Sequence, residues 1–244
     1  MIIISLLLLG SLLPHLSFTA SVKVGIVNGD KLWPSHSRPY MVSVQKKGKH
    51  VCSGFLISDQ FAMTAAHCKT KGKLTVVAGT DNLIRRKEHV RIRVMSYYKH
   101  KPDLMVLELN ERVKLNKKIK TIPIPTGQEK IKVGTMCSVA GWGELTHYGP
   151  IRLNLQEANV MIMSDEVCQR QWGKKYNASQ MMCVYGEGSS CPGDTGSPLV
   201  CGNTAVSVSY FSSENNCNDP NQYNVYLKMS AFLPWIRKMT SNSN

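Results

Sequence analysis

From residue 41 onward the chain is cut into short apolar segments with turn residues between them, and this punctuation constrains the fold more than any other feature. Residues 41–45 (M-V-S-V-Q) alternate, residues 46–49 (K-K-G-K) turn, and residues 51–57 read as a buried strand. The pattern continues at residues 74–77, 90–94 and 105–109. It resumes in the second half at 136–140, 156–163, 181–184, 198–201, 205–210 and 224–228. Many short strands with few helical periods predict an all-β chain. Residues 231–239 are the one good helix candidate, because Phe232, Leu233, Trp235 and Ile236 can share a face. Pro234 would lie in its first turn, where a missing N–H is tolerated.

At 244 residues, 43% of them hydrophobic, the chain can bury the core of one large domain or two small ones. Residues 1–13 are almost wholly apolar and are followed by small and polar residues up to Ser21. That run is too short for a membrane span and has the form of a signal peptide, although its start lacks positive charge. Cleavage is expected near residue 20 or 21. No later run is long or apolar enough to cross a bilayer, so the expected location is outside the cytosol. Eight cysteines suit that compartment: Cys52, Cys68, Cys137, Cys168, Cys183, Cys191, Cys201 and Cys217. An even count allows four bridges but leaves their connectivity open. No metal site is expected, since there is no C-x-x-C pair and the histidines are scattered.

The formal net charge is +14, from 30 Lys+Arg against 16 Asp+Glu. The cations cluster at residues 46–49, 69–73, 85–93 and 114–120. Such a field attracts polyanions at long range. Outside the cell these are sulfated glycosaminoglycans, anionic membranes or bacterial envelopes. A nucleic-acid partner is not expected, because no nucleic-acid motif accompanies the charge. The plainer alternative is a solvated basic surface that keeps the protein in solution. Asn177-Ala178-Ser179 is an N-glycosylation sequon in a polar stretch.

Three motifs carry the chemistry. Thr64-Ala65-Ala66-His67-Cys68 presents a histidine beside a cysteine. Asp103-Leu104-Met105-Val106-Leu107-Glu108-Leu109 sets an aspartate before an apolar strand. Gly193-Asp194-Thr195-Gly196-Ser197-Pro198 is a glycine-rich loop with a hydroxyl at its centre. Taken singly, the histidine could be a surface residue and the aspartate a turn cap. Together they resemble the histidine, aspartate and nucleophile motifs of the chymotrypsin-type serine proteases, peptidase family S1. Ile26-Val27-Asn28-Gly29 is similar to that family's activation junction, and His36-Ser37-Arg38-Pro39-Tyr40-Met41 to its granzyme and mast-cell protease subgroup.

The resemblance covers residues 26 to about 239 and implies two antiparallel six-stranded β-barrels with a C-terminal helix. The barrels would span about 26–122 and 127–230, joined near 121–126, after a propeptide at 21–25. It implies serine-type endopeptidase activity on peptide or protein substrates, with no cofactor. His67 would be the general base and Asp103 its orienting partner. The backbone N–H groups of Gly193 and Thr195 would form the oxyanion hole. A freed Ile26 amino group would pair with Asp194. The implied bridges are Cys52–Cys68, Cys137–Cys201, Cys168–Cys183 and Cys191–Cys217.

The chain departs from the pattern where it matters most. Thr195 stands where the family has its nucleophilic serine, and Ser197 where it has glycine. Threonine keeps a hydroxyl, but its β-branch stiffens χ1 and adds a methyl group. Ser197 would strain the loop if that position needs positive φ. In the S1 pocket, Ser189 takes the base position, while Phe211 and Asn224 replace two wall glycines and are expected to fill the slot. Pro102 replaces an asparagine before Asp103. The expectation is a peptidase homologue with very weak or no catalysis. The alternative is a non-catalytic cationic granule protein that binds sulfated glycosaminoglycans or microbial surfaces.

Overall fold

The computed structural model describes residues 30–31, 37–85, 89–128, 130–144, 149–186, 191–212, 217 and 222–241. Strand β1 (Asp30–Lys31) comes first. Six strands then close the first barrel: β2 (Met41–Lys46), β3 (Lys49–Leu56), β4 (Phe61–Ala65), β5 (Leu74–Ala78), β6 (Val90–His100) and β7 (Leu104–Leu109), in the order β2-β3-β4-β7-β6-β5. The second barrel uses β8 (Met136–Gly141), β9 (Gln156–Ile162), β10 (Met181–Tyr185), β11 (Pro198–Cys201), β12 (Thr204–Phe211) and β13 (Asn224–Lys228). Their order is β9-β10-β13-β12-β11-β8, and pairing of β8 with β9 closes the ring. Closure removes the edges on which open sheets aggregate.

Three apolar clusters hold the molecule. One gathers Val44, Leu56, Val76, Ile92 and Leu107 inside the first barrel. A second gathers Val139, Ile162, Val184, Leu199, Val206 and Tyr226 inside the other. The third, with Phe55, Trp142, Val208, Leu227 and Ile236, lies between the barrels and under the C-terminal helix. This third cluster explains a departure from the alternation expected at residues 41–45: all five are buried. Val42 and Val44 face the first barrel's interior and Met41 faces the shared core, while Gln45 donates to Ser43 Oγ at 3.0 Å.

Three further corrections concern boundaries. β1 pairs with β9, so the N-terminal stretch placed in the first barrel is stitched to the second. Strand β4, read only as part of the histidine motif, pairs with both β3 and β7. A second helix, α1 (Asp165–Trp172), has too few turns to show a clear period. It forms because Ser164 accepts from the Val167 amide and Asp165 and Glu166 meet the positive end of its dipole. The C-terminal helix α2 (Leu233–Ser241) follows a 3-10 turn at Met229–Phe232. Pro234 lies in its first turn. The linker bridges both units: the Ile122 amide donates to Leu56 O, and Pro123 O accepts from the Ala205 amide.

Candidate active site

The histidine and aspartate motifs meet because β4 pairs with β7, with Ala65 opposite Leu104. His67, in a 3-10 turn just after β4, then lies beside Asp103, just before β7. Asp103 is buried and grips the histidine twice. Its Oδ1 accepts from the His67 amide at 2.8 Å, and its Oδ2 is 2.6 Å from His67 Nδ1. Such a carboxylate fixes the ring and leaves Nε2 free to face a substrate. The His67 side chain is 56% exposed, so that nitrogen is reachable from solvent. Cys52–Cys68 ties the turn to β3.

The glycine-rich loop belongs to the second barrel. Its turns are set by Asp194 N donating to Cys191 O at 2.9 Å and Ser197 N donating to Asp194 O at 3.0 Å. Two further bonds sew it to β12: Gly196 N to Ser209 O, 3.2 Å, and Ser209 N to Ser197 O, 2.9 Å. Gly193 and Gly196 adopt φ of +92° and +88°, which L side chains rarely do. At Gly196 a Cβ would also lie 2.2 Å from Thr64 Oγ1 and 2.6 Å from Ser53 O. Ser197 has no positive φ, so the strain feared there does not arise. Its hydroxyl is nevertheless buried with no partner.

Asp194 is enclosed. Its Oδ1 accepts from Gly143 N at 2.7 Å and its Oδ2 from Cys191 N at 3.1 Å. Burial pushes its carboxyl up to about 7, against the pull of those two amides. Gly141 and Gly143 make the room, since a Cβ on either would overlap the carboxylate. His50, which no sequence motif marks, joins the barrels here. Its Nδ1 is 2.8 Å from Ser43 Oγ and its Nε2 donates to Gly193 O at 3.0 Å. Burial lowers His50 to about 4, opposed by the Gly193 carbonyl. With that carbonyl held from behind by His50 and Ser53, the peptide is fixed. Among the described residues, neither the Gly193 nor the Thr195 amide donates to another group. An oxyanion hole requires two such uncommitted N–H groups.

A cleft of about 490 Å³ runs past His67, Gly193 and Thr195. The first barrel lines it with Lys46, Thr70 and the Cys52–Cys68 bridge, the second with Ser209, Tyr210 and Phe211. Phe211 packs edge-on against both Trp172 and Tyr210, with ring centroids 4.9 Å apart in each pair. Trp172, also missed in the sequence, donates from Nε1 to Tyr223 O at 3.1 Å. Gln171 Oε1 accepts from Tyr223 N. Helix α1 thereby fixes the segment leading into Asn224, which is buried at the start of β13. Ser189 and Ile26 lie outside the described residues. Among the described residues, no hydrogen bond joins Thr195 to His67.

The remaining cysteines close as Cys137–Cys201, Cys168–Cys183 and Cys191–Cys217. Asn177 is exposed, and its Oδ1 accepts from the Ser179 amide and hydroxyl at 3.1 and 2.8 Å. The described residues include no helix long and apolar enough to cross a membrane.

Comparison with known proteins agrees with this geometry. Human granzyme M is 34% identical over 93% of this chain and 94% of its own. Human cathepsin G is 32% identical over 95% and 92%. The solved structure of a mutant of human heparin binding protein superimposes with a TM-score of 0.78 at 28% identity, covering 88% of this chain and 97% of that one. Residues 26–236 match the trypsin family model, and the chain belongs to that family.

Proposed function

We propose that this chain is a granzyme-like member of the serine endopeptidases, secreted or held in secretory granules, whose peptide-bond hydrolysis is very weak or absent. His67 stands as general base, Asp103 orients it, and the Gly193 and Thr195 amides form the oxyanion hole. Thr195 occupies the nucleophile position. A hydroxyl there attacks only if the imidazole takes its proton. The observation that carries the reading is the contrast between the two-point His67–Asp103 contact and the lack of a Thr195–His67 hydrogen bond among the described residues. The added methyl leaves fewer rotamers in which Oγ1 can aim at the ring. A misplacement on the order of 1 Å at a reacting atom lowers a rate by about 10²-fold.

The pairing of Ile26 with Asp194 belongs to the same reading. Release of an ammonium next to this carboxylate would draw its pKa down and hold the loop. The test uses the protein begun at Ile26, as Thr195 and as Thr195→Ser, on a broad peptide library. Turnover by the native form at the level of its serine variant overturns the reading. Silence of both forms places the block in Phe211 and Asn224 instead.

A second reading, polyanion binding, is favoured by the first barrel's surface. Lys47, Lys49, Lys71, Lys73, Arg91 and Arg93 are exposed on neighbouring strands and turns. Among the described residues none of the six is ion-paired. Likeness to heparin binding protein supports the same partner class. Retention on heparin should resist moderate salt and fall when these lysines are replaced by glutamine. Elution at low salt, with no change in the variants, counts against it.

A further inference from the structure

The second barrel has two ends, and only one borders the catalytic cleft. At the other end lie the start of β8, the end of β9, the start of β10, the end of β11, the start of β12 and the end of β13. A cavity of about 730 Å³ opens there, larger than the catalytic cleft. Its apolar lining includes Ile162, Met182 and Val206, which belong to the barrel's interior cluster. The cavity is therefore a barrel mouth that reaches the core, a favoured place for small-molecule sites and within their usual size range. Ile131 and Val133 carry the apolar wall outward, and Val133 is 64% exposed. Met163 and Met182 give the wall flexible side chains that adapt to a ligand's shape.

The rim is not neutral. Lys130 and Lys228 both line the mouth, against one carboxylate, Asp165. Lys228 is three-quarters buried; its Nζ donates to Ala178 O at 2.7 Å and lies 3.9 Å from Asp165. Burial lowers its pKa, with Lys130 adding to the effect and Asp165 opposing it. Among the described lining residues, one positive charge is left over at the edge of an apolar pit. A polysaccharide polyanion does not match apolar walls, and a neutral hydrophobe leaves Lys130 without a counter-charge among the described lining residues. We propose that this mouth binds a single-chain anionic amphiphile, a long-chain fatty-acid carboxylate, with its tail in the barrel and its headgroup between Lys130 and Lys228.

The experiment is calorimetric titration of the whole protein with laurate below its micelle threshold, in 0.5 M NaCl to screen the surface cations. Dodecanol and dodecyltrimethylammonium serve as comparators with the same tail. Laurate should saturate at one per chain, with dodecanol at least about 10-fold weaker and the cation weaker still. Thr204→Trp, at the rim, should abolish binding; Lys130→Gln, at an exposed position, should weaken laurate several-fold and leave dodecanol unchanged. Thermal melts of each variant check that it is folded. Absence of saturable binding, equal affinity for laurate and dodecanol, many ligands per chain, or laurate binding unchanged in folded Thr204→Trp would each overturn the proposal.

Discussion

The two barrels hold different halves of one machine, and most departures from the family's pattern fall in the second. The first supplies His67 and Asp103, joined at 2.8 and 2.6 Å. The second supplies the loop with Thr195 and the orphaned Ser197 hydroxyl, and a cleft wall where Phe211 leans on Trp172. Each barrel closes on its own interior cluster. Thr195 and Ser197 belong to neither barrel's interior cluster, so the departures at these two positions leave the His67–Asp103 pairing in place.

The joint between the halves is the sharpest place to break this comparison. Gly196→Ala would press a methyl into Thr64 and Ser53 of the first barrel at a φ that alanine resists. The expected loss is about 4 kcal/mol or more, combining overpacking with backbone strain, and urea unfolding measures it. A loss under about 1 kcal/mol would mean that the barrels are less tightly docked than described.

Next in size, Thr195→Ser should raise kcat/KM by about 10²-fold or more with KM little changed, read by steady-state kinetics. On the proposed reading, adding His67→Ala to that variant should erase the gain, because the hydroxyl then has no group to take its proton. Ser197→Ala removes a buried hydroxyl that has no partner. It should stabilise the protein by about 1 kcal/mol in the same unfolding assay.

The smallest effect is a pH dependence at the joint. His50 is held at about 4, below the ordinary histidine value of 6.5. A lowered value means its contribution is fully present above pH 6.5 and is lost as pH falls through about 4. The stability gap between wild type and His50→Gln should therefore be wider at pH 7 than at pH 4. Asp194 works in the opposite sense. Its raised value gives a contribution present below 3.8 and lost as pH rises through about 7. Unfolding curves across this range separate the two, since only the histidine's share disappears in His50→Gln.

Much of the fold was legible. The strands from β5 onward coincide with the short apolar segments, apart from β6, which runs on from 94 to His100, because turn chemistry and alternation are local signals. β4 and α1 were not, since one is buried at every residue, shows no alternation and runs into the histidine motif, and the other is only eight residues long. Within the site, His67, Asp103 and Thr195 stood out because their neighbours form motifs. His50 and Trp172 did not, because each acts through contacts distant in sequence, His50 with Gly193 and Trp172 with Tyr223 and Phe211. The cysteine pairing came only through family likeness; spacing alone left it open.

The sequence alone determined the all-β character, the identity of the reactive side chains and the excess of positive charge. Each of these is a property of residues one by one or of short windows. Tertiary structure alone decided that Asp103 meets His67, that Phe211 is braced by Trp172, and that a barrel mouth rimmed by Lys130 and Lys228 stays open. These depend on which strands close against which, and closure brings together groups separated by tens to more than a hundred residues, where no local pattern reaches.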